Sequence, residues 1–249
     1  MKPKLKILFS ILMITALIFG FIHVYFPDDN YSFERLHIFL FNLCTGGTIL
    51  LYYTQGQVRV SKTIRFFFLG SLIYGFSAFF KIYPITILVS IPLFVLVEKI
   101  RIEKFSLFPI LFFKFKEPVS EKFHQASLLC FSCGIVMASL VILNNEYFNF
   151  VTMEKLTLNT FFLGFSFPLS LITLSVVFSM LKKIEGSSSK ILMEICFWTI
   201  TLGVIIFFVF ILLEKFIPQI FVTLALFMAV VAVFYLYSKF ADKIQQKLF

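Results

Sequence analysis

The chain has 249 residues, 60% of them hydrophobic and only 14% charged, and its mean hydropathy is +0.98. Soluble domains hold roughly 45–50% apolar residues, and near this length a single soluble core has stopped growing, so the excess apolar surface has to face lipid. A net charge of +9 would point to nucleic acid on a soluble domain. On a membrane protein Lys and Arg collect at the cytoplasmic ends of the spans, so the expected partner is the lipid bilayer and not a nucleic acid.

A spanning helix needs about 20 mostly apolar residues. Eight stretches qualify: Leu5–Phe26, Leu36–Tyr53, Ile64–Phe80, Ile82–Val97, Gln125–Leu143, Leu158–Leu181, Ile191–Leu213 and Phe216–Phe240. The fold class is thus an all-α integral membrane protein, a polytopic bundle of about eight transmembrane helices in one domain over residues 1–249.

The first span follows a basic Lys2-Pro-Lys-Leu-Lys6 stretch like that of a signal peptide. The bulky Phe21-Ile-His-Val-Tyr-Phe26 end offers no small-x-small cleavage site, so it reads as a retained helix. The second span runs through Glu34, His37, Asn42, Cys44, Thr45, Gly46, Gly47 and Thr48. At 3.6 residues per turn Asn42, Thr45 and Gly46 share one face, and His37, Cys44 and Thr48 an adjoining one. Small residues let helices approach closely and Asn and Thr bond across them, which reads as a tight helix contact. The sharper reading is a helix loosened at Gly46-Gly47, with backbone groups open to a solute or ion.

Residues 64–97 either cross and return as two short spans around Lys81-Ile-Tyr-Pro84, or form a re-entrant hairpin on one face. The basic loop 98–123 follows. Within it the run 105–113 is too short to span and is expected to lie in the inner interface. Cys130-Phe-Ser-Cys133 in the fifth span has redox spacing but no exposed helix start to lower a thiol pKa. His124 sits at the inner end of that span, and Asn144-Asn-Glu146-Tyr147 at its outer end is a cap and a rim facing the Glu34/His37 cluster. In the sixth span Pro168 removes the amide that would bond the Gly164 carbonyl, so a kink is expected, with Ser166, Ser170 and Thr173 as a polar stripe beside it. Ser187-Ser-Ser189 reads as a connector, and Glu214-Lys215 as a tight outer turn.

Basic residues alternate by loop. Lys2, Lys4 and Lys6; Arg59, Lys62 and Arg65; Lys99, Arg101, Lys104, Lys114, Lys116 and Lys122; Lys182, Lys183 and Lys190; and Lys239, Lys243 and Lys247 fall on one side. Only Arg35, Lys81, Lys155 and Lys215 fall on the other. The positive-inside rule then places both termini in the cytoplasm, and the expected location is a bacterial inner membrane.

Polar residues inside a bilayer are costly, so each is a functional candidate. Spans two and six hold equivalent places if four helices are repeated: at an offset of about 120 residues Ser32/Thr152, Glu34/Glu154, Leu36/Leu156, Phe41/Phe161 and Leu43/Leu163 coincide. Paired interrupted helices point to a transporter's central site, here Asn42, Thr45, Gly46, Gly47, Ser166, Pro168 and Ser170. Near the outer face His23 and His37 sit at similar depth with Asp28, Asp29 and Glu34; such a set suits a divalent metal or a haem, although nothing in the sequence requires a cofactor. There is no P-loop, no H-E-x-x-H and no G-x-S-x-G, so enzymatic chemistry is not expected. The leading expectation is a small-solute transporter or permease-like component. The alternatives are a non-catalytic integral subunit or assembly factor with membrane-complex partners, and a haem or metal electron-transfer protein using His23 and His37.

Overall fold

Two serines set the starts of neighbouring helices. Ser32 Oγ accepts the Arg35 amide at 3.3 Å and Ser61 Oγ accepts the Ile64 amide at 3.2 Å, satisfying donors that a helix start leaves bare. The computed structural model describes residues 3–25, 31–56, 60–153, 155–181 and 187–241. Lys2, Asp28, Asp29, Arg59, Glu154, Lys182, Lys183, Lys243 and Lys247, which entered the sequence reading, lie outside the described residues.

All named elements are helical. α1 is Pro3–Tyr25 and α2 runs over Phe33–Gln55; α3 is Lys62–Phe79 and α4 is Tyr83–Lys104. A short 3₁₀ turn, Ile110–Phe113, precedes α5, Val119–Phe148. α6 runs as Leu156–Phe161, Phe162–Ser166 and Phe167–Ser179; α7 is Ser187–Leu212 and α8 is Phe216–Phe240. Six of these, all but α3 and α4, are long and apolar enough to cross a bilayer. α3 and α4 lie side by side as a hairpin. Lys81 turns the chain with φ of 59°, the Ile82 amide bonds the Ser77 carbonyl at 2.8 Å, and Ser77 and Thr86 join their hydroxyls at 2.9 Å. The Ser187–Ser189 segment, expected as a connector, belongs to the first turn of α7; serine suits helix starts as well as loops.

The helices pack as two compact units, Met1–Leu107 with Leu128–Leu169, and Phe108–Ser127 with Ser170–Phe249. In the first, α1 lies on α2 through a cluster of Ala16, Leu36, Leu40 and Cys44, and the Phe19 and Phe33 rings stack at 5.9 Å. α2 and α6 run in the same direction: Arg35 sits over Phe161, Phe39 meets Phe161 and Phe165, and Asn42 meets Ser166. Both numbers rise together, as they do only between parallel helices.

In the second unit α7 and α8 form a long antiparallel pair. Gly203 admits Leu226, whose Cδ2 would be 2.9 Å from an added Cβ, and the Cys196 thiol points at the Ala229 carbonyl. Their turn closes with the Lys215 amide on the Phe210 carbonyl at 3.0 Å and Glu214 at a φ of 54°. Phe112 of the 3₁₀ turn packs on Phe197 and Trp198, whereas Phe108, Ile110 and Phe113 are exposed.

Candidate functional site

The second and sixth spans each leave α-helical geometry for a stretch of π-helix, Phe39–Gly46 in α2 and Phe162–Ser166 in α6. Segments of this kind are uncommon and concentrate at functional positions. The second has a local cause. Pro168 has no amide to give Gly164, and the Phe167 amide reaches back five residues to the Phe162 carbonyl. In α2 the Gly47 amide bonds the Asn42 carbonyl, again five back, and the Thr45 hydroxyl bonds the Leu40 carbonyl at 2.9 Å. The backbone is thus satisfied in a wider coil, not laid open at Gly46-Gly47. Asn42–Gly46 and Phe162–Ser166 stand 120 residues apart, the offset at which Ser32/Thr152 and its companions coincide.

Where the two π segments meet, Asn42 Nδ2 donates to Ser166 Oγ at 2.9 Å. The glycines serve close approach. A Cβ on Gly46 would come within 2.4 Å of the Leu169 side chain, and one on Gly47 within 2.3 Å of the Phe131 ring. Gly134 of α5 meets Gly164 of α6 backbone to backbone, with 2.4 Å from an added Cβ to the Gly164 Cα. Of the residues singled out from sequence, Asn42, Thr45, Gly46, Gly47 and Ser166 gather at this junction, with Pro168 buried beside it. Ser170 is exposed.

Above the pair lies an aromatic layer. Phe39 makes edge contacts with Tyr74 (5.3 Å), Phe161 (5.0 Å) and Phe165 (5.8 Å), and all four rings are buried. Above that layer lies a second polar group. Arg35 rests over the Phe161 ring at 5.5 Å. Tyr83, at the start of α4, lies against both Arg35 and Glu146. The Tyr74 hydroxyl, 0% exposed, is within electrostatic reach of Arg35 and Ser139 but closes a hydrogen bond to neither. Arg35, Phe39 and Asn42 follow at intervals of four and three on one face of α2, so the face reads cation, ring, amide.

The histidines take separate partners. His37 Nδ1 meets the Ala16 carbonyl at 2.8 Å, beneath Gly20, and His23 Nε2 lies 3.6 Å from Glu34 Oε2. Among the described residues no group of three or more His, Cys, Asp or Glu comes together to hold a metal ion. Glu146, expected as a rim facing Glu34 and His37, lies against Tyr83, and Asn144 caps the chain reversal through both its amide atoms to Val151.

Two ion pairs escaped the sequence reading, which counted their cations only as loop charge. Lys122 Nζ, 1% exposed, donates to Glu194 Oε1 at 2.6 Å and to the Phe112 carbonyl at 3.2 Å. Arg101 grips Glu98 with Nε and Nη2 and donates to the Ser106 and Leu107 carbonyls. A lone acid three residues into the seventh span, Glu194, was the available signal, because such a group requires a partner. No known family model, curated protein or solved structure matches the chain.

Proposed function

We propose that the chain is a small-solute transporter or permease-like membrane component whose path follows the Arg35–Phe39–Asn42 face of α2. One observation carries this reading: polar groups above and below a closed aromatic layer, at the place where two parallel helices are both π-helical. A polar solute held by Arg35 and the tyrosines would meet Asn42 and Ser166 once the Phe39 layer opens. Helices interrupted in the membrane supply such sites because their altered geometry is tolerated only where protein or a polar path surrounds it.

In this reading α3 and α4 cross and return, giving eight passes. Parallel α2 and α6 need an odd number of crossings between them. Three helices supply that, and a single long span over residues 64–97 would not. With Lys and Arg retained inside, both termini and the basic loop 98–123 are cytoplasmic, and the membrane is the inner membrane of a bacterium.

A second reading, a non-catalytic integral subunit or assembly factor, is favoured by the glycine contacts, since Leu169, Phe131 and the Gly134–Gly164 crossing fill the junction. Uptake of a panel of labelled small solutes into proteoliposomes separates the two. A transporter loses flux on Asn42→Ala; a subunit shows no flux, co-purifies with a partner, and changes only in abundance.

A further inference from the structure

We infer that the outer polar cluster of Arg35, Tyr74 and Tyr83 is a binding site for an oxyanion, a carboxylate or phosphate group of a small solute. The inference rests on the transport reading for its purpose but on different observations for its chemistry. The cluster is rich in donors. Arg35 carries five N–H groups in a planar fork that suits two oxygens of one anion. Among the described residues no carboxylate lies within ion-pairing distance of it, and its guanidinium rests over the Phe161 ring at 5.5 Å.

Tyr74 supplies the second observation. Its hydroxyl is fully buried, within reach of the Arg35 charge, and has no hydrogen-bond partner among the described residues. Buried hydroxyls are nearly always paired, because leaving one bare forfeits its hydration without return. Ser139 donates its own proton to the Ile135 carbonyl at 3.1 Å and keeps an oxygen that can accept, but the Tyr74 hydroxyl closes no hydrogen bond on it and its proton is left without a close acceptor. An anion oxygen beside Arg35 would receive it. Tyr83 adds a second hydroxyl, which lies against Arg35 and the exposed Glu146. The neighbouring Phe39, Phe161 and Phe165 rings exclude water below, which strengthens charge-assisted hydrogen bonds.

The test uses the full chain, purified in detergent, with melting temperature followed against succinate, acetate and inorganic phosphate, and against chloride at matched ionic strength. The expected result is saturable stabilisation by an oxyanion and none by chloride. Tyr74→Phe is the decisive variant. It keeps the ring and removes only the unpartnered hydroxyl, so its unliganded stability should be equal or higher, while oxyanion affinity falls roughly tenfold or more, as for one hydrogen bond to a charged group. Arg35→Gln should abolish the stabilisation and Arg35→Lys should recover part of it. Unchanged affinity in Tyr74→Phe and Arg35→Gln, or no oxyanion response in the wild type, overturns the site. If phosphatidylglycerol reproduces the shift with the same dependence on Arg35 and Tyr74, and phosphatidylcholine does not, the oxyanion is a lipid headgroup phosphate. Solute flux without oxyanion stabilisation would remove this site and leave the transport reading. Oxyanion binding with no flux of any solute would do the reverse.

Discussion

Lys122 and Glu194, 72 residues apart in sequence, meet at 2.6 Å with the lysine 1% exposed. Lys122 also holds the Phe112 carbonyl, so the pair fastens the 3₁₀ turn to α7 in the second unit. Removing one partner of a buried ion pair strands the other charge and costs about 3–5 kcal/mol, whereas replacing both by apolar residues is often neutral. Lys122→Met and Glu194→Gln should therefore each lower the unfolding midpoint sharply in detergent. Lys122→Met combined with Glu194→Met should recover most of the loss, and a strictly additive double variant would argue against coupling.

The Gly134–Gly164 crossing leaves no room for a methyl group, since the obstacle is backbone. Gly134→Ala and Gly164→Ala should each destabilise by about 1–3 kcal/mol or more, the usual range for overpacking. Gly203→Ala meets only the Leu226 side chain, which can rotate away, and should cost less. Thermal unfolding of the three variants side by side ranks them.

The Asn42–Ser166 bond joins the two π segments. Interhelical polar pairs in membranes average about 0.6 kcal/mol and reach about 1.7, so a double-mutant cycle with Asn42→Ala and Ser166→Ala should return a coupling in that range. The same substitutions should lower solute flux in proteoliposomes by more than they lower the amount of folded protein.

Phe39 closes the aromatic layer between Arg35 and Asn42. Truncating a buried Phe to Ala typically costs about 3–5 kcal/mol and here should also open the layer. In a background with the four native cysteines replaced by alanine, Asn42→Cys should resist a membrane-impermeant thiol reagent. It should react once Phe39→Ala is added, and no change in labelling would show that the layer is not the barrier.

Glu98 and Arg101 form a bidentate pair just beyond the apolar part of α4, with Arg101 also capping the Ser106 and Leu107 carbonyls. Burial pushes the Glu98 carboxyl upward, but hydrogen bonds from Arg101 and Ser132 and the Arg101 charge outweigh it and hold the group below its usual range. A carboxylate whose folded pKa is depressed adds stability that is present above its unfolded value of about 4.3 and is lost as pH falls through the folded one. Stability should therefore hold from neutral pH down to the ordinary carboxylate range and drop below it. Arg101→Gln should flatten that part of the pH profile, which chemical denaturation across pH would record.

Much of the architecture was legible in the residues themselves. The eight apolar stretches fall on helices, six of them, among the described residues, long and apolar enough to cross a bilayer, where lipid satisfies no backbone group and each must bond internally. Pro168 announced the interruption of α6, since a missing amide cannot be hidden in a helix, and the Gly-Gly and Pro positions alone mark the spans of Asn42 and Ser166 as a pair. Other features needed the tertiary structure. Whether Gly46-Gly47 loosens a helix or lets one in depends on Leu169 and Phe131, which lie far away in sequence. Lys122 counted equally as a loop charge or a buried one until Glu194 arrived opposite it. Tyr74, Tyr83 and Arg35 had no reason to be grouped from spacing, because α2, α3 and α4 bring them together only by packing. Apolar periodicity acts along the chain and so determines the helices; partners chosen across space depend on distances that no local pattern contains.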